Sequence, residues 1–575
     1  MTALIQVKNI ALSKGTRSLF ENLSLNINKG SRIGLVGHNG SGKTSLMALL
    51  AGQSEADQGE IVKRRGLSVA WVEQFVSQRI LNSPLLDCVV EVLPEEEQES
   101  RCYQAETLLA ALGFIPYQLS QTIQTLSGGQ QNLALLARAQ IQAPDVLLLD
   151  EPGNHMDIAA LGGLKSFLNR MRGITFVMIS HDRTLLDECC ETTVFLRDKR
   201  SYSFSLPYSE AASALRKQDD DAFARRQSEQ NEIDRISASA KRLAHWGRTY
   251  DNEDLARKAK TMQARAEKLE ANQTQVTRGS GLHLQLQTQG LRSNSVVTLE
   301  NLVVTAPDDA RPLAKCEFLV IRPGERVGLL GKNGSGKSTS IRQILKALRE
   351  YDPSIRFNPN TSLGYFDQEL EGFTEPLSRF DWLSQHSRQP DDVVKRALIG
   401  AGIAYVDFSQ TVDTLSGGEK ARLVFMLLAL QKPNFLVLDE PTNHIDLESR
   451  EQLEVQLSES GSSMLVTSHD RRFLDNVCTR YWEIDQGLLR ETQNPQSYYD
   501  SFDTTRDTNV KKESSLGLAS GQNRGISSEE DLLSRIQELE DLLAADRNRK
   551  AKFQKPGLQE QWQSELNLLW AKLDG

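Results

Sequence analysis

The chain has 575 residues, which is enough for three or four domains at about 150 residues each. Apolar residues make up 39% and charged residues 25%, and the formal net charge of −9 excludes a uniformly basic nucleic-acid coat protein. No apolar run reaches the roughly 18 residues of a membrane span, and no signal peptide is recognisable at the start. We therefore expect a cytoplasmic protein without membrane insertion.

The first informative element is a strand, RIGLVG, that leads into GHNGSGKT and then into an apolar helix. This arrangement is typical of a phosphate-binding loop, in which glycines let backbone N–H groups surround phosphates at a helix N-terminus. Lys43 is predicted to hold the terminal phosphates, and the Thr44 hydroxyl to ligate Mg²⁺. The predicted nucleotide-binding residues of this loop are Gly37, His38, Asn39, Gly40, Ser41, Gly42, Lys43 and Thr44.

Two further polar features follow in chain order. Gln74 comes after the β-like run SVAWVE, where it could ligate the metal or the attacking water, or could equally be a solvated loop residue. LSGG then precedes an apolar helix, so Ser127, Gly128 and Gly129 would present free N–H groups at a helix start. Because one loop already supplies a phosphate site, this second anion-binding helix start suggests that it completes a nucleotide site elsewhere.

An acidic pair and a histidine end the motifs of this region. The buried-type strand in PDVLLLDE delivers Asp150 to the magnesium ion and Glu151 to a position where it can polarise a water. Plain strand-end carboxylates are the structural alternative. His181 follows the run TFVMIS and could contact the γ-phosphate, although a lone histidine there would usually be structural.

A charged helical segment comes next, at about residues 211–272. Apolar residues recur at three- and four-residue spacing in two stretches, around a turn near Gly247 and Asn252, which predicts an antiparallel helical hairpin. From Arg235 to Lys268 it carries nine basic and four acidic residues. The basic residues predicted to contact RNA are Lys241, Arg242, Arg248, Arg257, Lys258 and Lys260, with Trp246 and Tyr250 among them. A solvated hairpin whose aromatics pack its own turn is the alternative.

The motifs of the first region then recur in the same order, with offsets of 294, 289, 289 and 288 residues. The chain therefore contains two homologous halves. The repeated site residues are Gly331, Lys332, Asn333, Gly334, Ser335, Gly336, Lys337 and Ser338 of the loop, then Gln368, then Ser416, Gly417 and Gly418, and finally Asp439, Glu440 and His469. Asp439 and Ser338 are the predicted metal ligands, and Glu440 and His469 the predicted catalytic pair.

Past about residue 503, a stretch rich in Ser, Gly, Asn and Thr predicts a flexible tether. A second helical hairpin is predicted over residues 527–575, with a capping box at Ser527 and Glu530 and a break at Pro556–Gly557. Its basic turn could contact nucleic acid, and a coiled-coil contact with a protein is the alternative.

The order of these motifs resembles that of ATP-binding-cassette (ABC) ATPases. Two cassettes on one chain, the DEPTNHID form of the acid motif and the charged linker resemble the ABC-F subfamily, whose members are translational ATPases that act on ribosomes. The resemblance implies an α/β fold with two P-loop ABC domains, joined by an α-helical hairpin linker and followed by a C-terminal coiled-coil hairpin. The implied boundaries are 1–210, 211–278, 279–503, 504–526 and 527–575.

The resemblance also implies how the two halves act. They would form a head-to-tail sandwich within a monomer and bind two ATP molecules with Mg²⁺. Lys43 would face Ser416–Gly418, and Lys337 would face Ser127–Gly129. The expected partners are the ribosome and tRNA, with the linker reaching toward the peptidyl-transferase region.

Three departures from the family pattern concern the nucleotide sites. No aromatic residue occurs near Lys14 or Thr305 to stack on adenine, which puts the base preference in doubt. The first acid motif has Gly153 in place of Thr, and Gln130 follows the first LSGG in place of Glu. None of these changes removes a residue that the chemistry needs, so we expect both sites to hydrolyse ATP.

Three classes of function compete at this point. The first is a ribosome-binding ATPase that resets stalled translation or displaces a ribosome-targeting antibiotic. The second is the ATPase component of a transporter with separate membrane subunits, although the sequence shows no evident membrane-coupling surface. The third is a DNA-associated ATPase that acts through the C-terminal hairpin.

Overall fold

A computed structural model of the chain describes most of residues 3–499. The described residues are 3–15, 17–73, 76–154, 156, 158–171, 173–249, 253–273, 291, 293–306, 311–332, 334–368, 370, 372–373, 375–443, 445–492, 495–496 and 498–499. The predicted tether and C-terminal hairpin lie outside them, as do the predicted site residues Gln74 and Asn333 and the aromatic Tyr250 of the linker.

The first half combines a small antiparallel sheet with a larger, mainly parallel one. Its strands are β1 (Ala3–Lys14), β2 (Arg17–Asn28), β3 (Arg32–Gly37), β4 (Gln58–Lys63), β5 (Val69–Val72), β6 (Val146–Asp150), β7 (Thr175–Ile179), β8 (Thr192–Arg197) and β9 (Arg200–Phe204). Its helices are α1 (Lys43–Ala51), α2 (Gln78–Leu81), α3 (Leu85–Val90), α4 (Glu95–Ala111), α5 (Gly128–Gln140), α6 (Ile158–Arg170) and α7 (Arg183–Cys189), with 3₁₀ turns at Pro116–Ser120 and Ile123–Thr125.

The large sheet of the first half runs in the order β5-β6-β7-β3-β8-β9, in which β9 is antiparallel to β8 and the other neighbours are parallel. The small sheet has the order β2-β1-β4. Strand β6 is buried along its whole length, as its run of leucines predicts for a central parallel strand. Because the parallel strands end at one edge, the motifs that follow β3, β6 and β7 meet there.

Two long helices follow the first half. Helix α8 (Tyr208–Thr249) has 42 residues, and α9 (Glu253–Ala271) has 19. Ala240 and Ala259 are buried between them, as the apolar spacing of the predicted hairpin requires. Helix α8 continues through Gly247, which was predicted to lie in the turn. Asn252, the other predicted turn residue, lies outside the described residues. At about 1.5 Å per residue, α8 is roughly 60 Å long.

The second half repeats the plan of the first. Its strands are β10 (Val297–Thr305), β11 (Pro312–Ile321), β12 (Arg326–Gly331), β13 (Ile355–Phe357), β14 (Leu363–Phe366), β15 (Phe435–Asp439), β16 (Ser463–Thr467), β17 (Arg480–Asp485) and β18 (Leu488–Thr492). Its helices are α10 (Lys337–Lys346), α11 (Arg379–Ser387), α12 (Asp391–Gly400), α13 (Gly417–Gln431), α14 (Leu447–Glu459) and α15 (Arg471–Val477), with 3₁₀ turns at Tyr405–Ser409 and Val412–Thr414.

The sheets of the second half are joined in the order β13-β10-β11-β18-β17-β12-β16-β15-β14. The link is a single pair of residues, Lys315 and Leu488, between β11 and β18. In the first half the corresponding gap is bridged by the backbone N–H of Glu21, which donates to the carbonyl of Lys199 at 2.8 Å. The two halves therefore share one architecture and differ in how closely the small sheet pairs with the large one.

Each half has two apolar cores, one on either face of its large sheet. The core that packs the first-half sheet against its helices also contains Tyr208 and Leu215 of α8 and Leu447 of α14. Leu447 belongs to the second half and is only 2% exposed. Burial of a leucine contributes about 1.5–3 kcal/mol, so this side chain helps to hold the halves and the start of the linker together.

None of the described helices is long and apolar enough to pass through a membrane.

Candidate active site

The first phosphate-binding loop lies between β3 and α1, as the sequence predicts. Gly40 and Gly42 have left-handed backbone angles, with φ of 78° and 92°. A Cβ atom at Gly42 would lie 2.6 Å from the ring of Phe20, so this position needs glycine for its conformation and for its space. The Lys43 ammonium donates to the carbonyls of Gly37 at 2.7 Å and His38 at 3.3 Å. Burial lowers the pKa of Lys43, against the opposing effect of nearby carboxylates.

The second loop repeats this geometry between β12 and α10. Lys337 donates to the carbonyls of Gly331 at 2.7 Å and Lys332 at 3.2 Å. Gly336 has a φ of 102°, and a Cβ there would lie 3.2 Å from Leu313. The two loops therefore match in backbone and lysine geometry, and the second has more room at its last glycine.

The acidic residues that end β6 and β15 lie beside the loop hydroxyls. Thr44 forms a side-chain hydrogen bond with Asp150, and burial raises the pKa of Asp150 to about 6. Ser338 donates to Asp439 at 3.4 Å, and Thr467 donates to the same carboxylate oxygen at 2.6 Å. Burial also raises the pKa of Asp439. Each half thus places a carboxylate next to the hydroxyl that was predicted to ligate the metal.

The following glutamates adopt a strained backbone and face the predicted histidines. Glu151 and Glu440 have φ of 54° and 51°, a left-handed conformation that costs a non-glycine residue free energy and is common at functional sites. His181 Nε2 lies 2.7 Å from Glu151 Oε1, whereas His469 Nε2 lies 3.6 Å from Glu440 Oε1. Burial would raise the pKa of Glu151, but His181 and Lys43 outweigh it and hold that pKa below the usual range. The two halves therefore have the same residues, with a closer acid–histidine contact in the first.

Both LSGG motifs begin a helix with a capping box. The Ser127 hydroxyl accepts from the Gln130 N–H at 3.3 Å, and the Gln130 side chain accepts from the Ser127 N–H at 3.1 Å. Glu419 caps Ser416 in the same way, with the Ser416 N–H donating at 3.1 Å. Gln130 thus replaces the family's glutamate without loss of the cap.

The first cavity, of about 630 Å³, contains parts of both halves. The residues that line it include Lys43 and Thr44 of the first loop, together with Ser416, Gly417 and Gly418 of the second half. The predicted pairing of the first loop with the second LSGG is therefore present. Lys14 and Leu19 also line this cavity, at the place where the sequence analysis found no adenine-stacking aromatic.

The second cavity, of about 420 Å³, has a different composition. Its lining includes Lys337, Ser338, Gln368, Glu440 and His469 of the second half and, from the first half, Gly153, Asn154 and Met156. Glu151 and His181 line both cavities, whereas Glu440 and His469 line only the second of the two. Ser127–Gly129 are absent from its described lining, and Ser127 and Gly128 are exposed. The predicted pairing of Lys337 with the first LSGG therefore stays a prediction. The position of Gln368 in this cavity favours its binding role over that of a solvated loop residue.

A buried group of charges joins the two halves between the cavities. Arg183 of α7 and Glu454 of α14 form a bidentate ion pair, and each side chain is 7% exposed. Arg450 donates to Asp470 Oδ2 at 2.7 Å and to the backbone carbonyl of His181 at 2.7 Å. Burial would raise the pKa of Asp470, but Arg450 and Arg183 lower it below the usual range.

The sequence analysis did not identify these interface residues. The motif offset of 289 residues places Arg450 opposite Leu161 and Glu454 opposite Lys165 in the first copy. The available signal was a change of side-chain charge between the copies, from leucine to arginine at Arg450 and from lysine to glutamate at Glu454.

The loop residues fit a nucleotide and a magnesium ion. Among the described atoms, the buried hydroxyls of Ser41 and Ser335 and the Oδ2 atom of Asp150 have no hydrogen-bond partner. Such orphaned polar atoms are costly unless a ligand or water meets them. The described residues include no cluster of three or more His, Cys, Asp or Glu that could hold a metal by itself. A magnesium ion does not need such a cluster, because Mg²⁺ usually has few protein ligands. One hydroxyl, one carboxylate and the substrate phosphates would be enough to bind it.

The predicted RNA-contacting residues of the linker are all exposed. Lys241, Arg242, Arg248, Arg257, Lys258 and Lys260 lie on α8 and α9 near the turn. Trp246 is 52% exposed, so it is not packed fully against its own hairpin.

Comparison with known proteins connects these sites to a family. The ABC transporter family model matches residues 20–154 and 318–443, once in each half. The ATP-binding protein YheS of Escherichia coli K12 is 32% identical over 510 residues, which cover 82% of this chain and 77% of YheS. The ABC transporter F family member 5 of Arabidopsis thaliana is 28% identical over 554 residues, which cover 86% of this chain and 77% of that protein.

A solved structure supports the twin-cassette fold. The complex of the archaeal ribosomal stalk protein aP1 with the archaeal ribosome recycling factor aABCE1 superposes with a TM-score of 0.55 at 16% identity, and covers 84% of this chain and 89% of the matched one. At this identity the likeness concerns the fold alone. Together with the paired loops, acids and histidines, the sequence relatives identify an ATP hydrolase with tandem cassettes. The chain therefore belongs to the ABC-F family of ATP-binding-cassette ATPases.

Proposed function

We propose that the chain is a cytoplasmic translation factor that binds the ribosome when ATP has closed its two cassettes. The observation that carries this proposal is the first cavity, in which Lys43 of one cassette and Ser416–Gly418 of the other line one space. A nucleotide bound there contacts both cassettes, so its binding energy favours the closed arrangement of a monomer. Hydrolysis removes the γ-phosphate and weakens that contact.

The loops and strand ends carry the proposed chemistry at each site. Lys43 and Lys337 bind the terminal phosphates, and Gln74 and Gln368 complete the loop side. Bound Mg²⁺ neutralises charge on the phosphates, and it would be held by Thr44 with Asp150 or by Ser338 with Asp439. Asp150, Asp439 and the main-chain N–H groups of the loops position the substrate and do not react with it.

The glutamates and histidines at the strand ends complete the hydrolytic machinery. Glu151 and Glu440 orient and polarise the attacking water, and His181 and His469 contact the γ-phosphate. The low pKa of Glu151 keeps it ionised and able to accept a hydrogen bond from that water. The 2.7 Å contact between His181 and Glu151 fixes both groups on the same side of the first cavity.

The linker is the proposed effector of the ATPase cycle. Its root contacts both cassettes. The Ser209 N–H donates to Asp187 of the first cassette at 2.7 Å. The Tyr208 hydroxyl donates to Glu451 of the second at 3.1 Å, and Arg216 pairs with the same carboxylate. Its far end carries the exposed basic residues and Trp246, a composition suited to RNA phosphates and unstacked bases. We propose that it reaches the tRNA and peptidyl-transferase region. It would thereby regulate or rescue translation, or displace a ribosome-targeting antibiotic.

The comparisons support this partner in a limited way. The matched solved structure is that of a ribosome recycling factor, and an ABC-F relative is among the similar sequences. Ribosome binding by this chain is inferred from those likenesses together with the basic linker.

The test is to trap the closed state. The double variant Glu151→Gln, Glu440→Gln keeps nucleotide binding and stops hydrolysis, so with ATP it should co-sediment with ribosomes from cell extract. A control variant with Lys43→Ala and Lys337→Ala should remain in the supernatant, because it lacks the phosphate contacts. Recovery of the trapped protein with membranes or DNA would instead support the transporter or DNA-associated alternative and overturn this proposal.

The linker is tested separately by charge reversal. The triple variant Arg248→Glu, Arg257→Glu, Lys258→Glu should lower ribosome-stimulated ATP turnover at least tenfold, because repulsion from RNA phosphates replaces attraction. Basal turnover should persist, since these residues lie far from both cavities. The matched control reverses Arg225 and Arg226, which are exposed on the same helix nearer its root. Equal losses for both variants would argue against an RNA contact at the linker end.

A further inference from the structure

Arg450 occupies an unusual position between the two nucleotide sites. It lies on α14 of the second cassette, is 7% exposed, and lines both cavities. Its guanidinium donates to the Asp470 carboxylate at 2.7 Å and to the Thr442 carbonyl at 2.9 Å, both in its own cassette. Its remaining bond crosses the interface to the backbone carbonyl of His181, also at 2.7 Å.

This bond connects the backbone of His181, in the first cassette, to a side chain of the second cassette. His181 is the residue whose Nε2 lies 2.7 Å from Glu151, so a shift of its backbone would move the imidazole relative to the catalytic acid. Hydrogen bonds from a charged donor are about twice as strong as neutral ones and have a fixed direction. Arg450 can make this bond only when the cassettes are together.

Within the described part of the chain, the residue aligned with Arg450 cannot make the equivalent contact at the second site. The motif offset of 289 residues places Leu161 at the position of Arg450 and Gly153 at that of Thr442. Leu161 lines the second cavity, and a Cβ at Gly153 would lie 2.8 Å from its Cδ1 atom, so the leucine fills space that a threonine there would need. A leucine cannot donate a hydrogen bond to the opposite cassette. The distance from the histidine Nε2 to the glutamate Oε1 is 2.7 Å in the first site and 3.6 Å in the second, where the His469 backbone N–H also donates to Glu440 Oε2 at 3.2 Å.

We propose that Arg450 is a positioning residue in trans for the first site: through the backbone of His181, it aligns the histidine with Glu151 when the cassettes close. Closure of the cassettes then affects hydrolysis at the first site through the bond from Arg450 to His181. Leu161, in the aligned position, cannot make this bond at the second site, so the two rates of hydrolysis depend differently on the interface between the cassettes. This inference rests on the proposed roles of Glu151 and His181 in hydrolysis.

The test isolates the first site with Glu440→Gln and measures single-turnover ATP hydrolysis, which needs no product release. Arg450→Leu gives the first site the side chain that serves the second. We expect the maximal rate constant to fall at least tenfold, while the ATP concentration for half-maximal rate changes less than threefold. Arg450→Lys keeps a cationic donor and should restore at least part of the rate. A rise in half-maximal ATP concentration at an unchanged maximal rate would overturn the proposal.

A second comparison separates positioning from a general structural effect. The same Arg450→Leu change is measured in a Glu151→Gln background, where the second site supplies the turnover. The decrease in the maximal rate constant at the first site should exceed the decrease at the second site by at least fivefold. Equal decreases at both sites would overturn the proposal. If Glu151→Gln does not itself abolish hydrolysis at the first site, the catalytic role proposed for Glu151 is wrong. That result is distinct from one in which Glu151 is catalytic but Arg450 does not position His181. Should Arg450→Leu not fold, Arg450→Gln is used with the same criteria.

Discussion

The ion pair between Arg183 and Glu454 provides the sharpest prediction about cassette closure. Glu454→Gln removes one charge of a pair that is nearly inaccessible to water and that spans the two cassettes. Loss of one partner from a buried pair costs about 3–5 kcal/mol. Arg183 keeps two other carboxylates nearby, Asp470 at 3.7 Å and Glu451 at 3.9 Å, so we take the lower value, about 3 kcal/mol. That corresponds to roughly a hundredfold weaker closure.

Closure is measured by energy transfer between dyes on the two cassettes as ATP is titrated. The matched control is Lys165→Gln, since Lys165 occupies the position of Glu454 in the first copy. Lys165 pairs at 2.6 Å with Glu188 in its own cassette, and both side chains are partly exposed, so its loss should cost less than about 1 kcal/mol and leave closure unchanged. If Glu454→Gln closes as readily as the wild type, or if Lys165→Gln weakens closure equally, the reasoning is wrong.

Three further predictions concern the nucleotide sites and the linker root. Gly42→Ala should abolish nucleotide binding at the first site, because the backbone there is left-handed and the added methyl group would lie 2.6 Å from a buried phenyl carbon. Gly336→Ala should retain weakened binding at the second site, since the nearest neighbour of its methyl group is a partly exposed leucine at 3.2 Å. Titration of each site with a fluorescent nucleotide distinguishes the two outcomes. Leu19→Tyr should tighten ATP binding at the first site two- to tenfold, because it adds an aromatic face on which adenine can stack. If calorimetry shows no increase in affinity, adenine does not bind at this end of the cavity. Tyr208→Phe removes the hydroxyl that donates to Glu451 and should lower the free energy of unfolding by about 1 kcal/mol in denaturant melts; an unchanged midpoint would mean that Arg216 suffices there.

The local motifs could be predicted because each is continuous in sequence and adjacent to a strand. Lys43 follows β3, Asp150 ends β6 and His181 follows β7, and the parallel order of these strands brings the three residues to one edge. The linker hairpin was predictable from its apolar spacing. The assignment of Gly247 to the turn was wrong, because one glycine costs a long helix only about 1 kcal/mol and α8 continues through it.

The contacts between cassettes could not be predicted from local patterns. Arg183 and Glu454 are separated by 271 residues, and nothing in either segment alone specifies the other. The resemblance implied symmetric sites, whereas Ser127–Gly129 do not line the second cavity within the described chain. How two large surfaces pack cannot be predicted from either repeat alone, so the pairing of Lys337 with Ser127–Gly129 stays a prediction.

Helix α14 shows how those differences act together. Three of its side chains point to separate partners: Arg450 to His181 of the first site, Glu454 to Arg183 of the opposite cassette, and Glu451 to Tyr208 at the linker root. Because a helix is stiff over its 13 residues, a shift of α14 changes all three contacts at once. The counterparts of these residues in the first copy cannot make equivalent bonds, since they are a leucine, a lysine and a glycine. Hydrolysis at the first site and the position of the linker are therefore expected to be linked through α14. The second site shares this helix, because Arg450 also bonds Thr442 and Asp470, which line the second cavity.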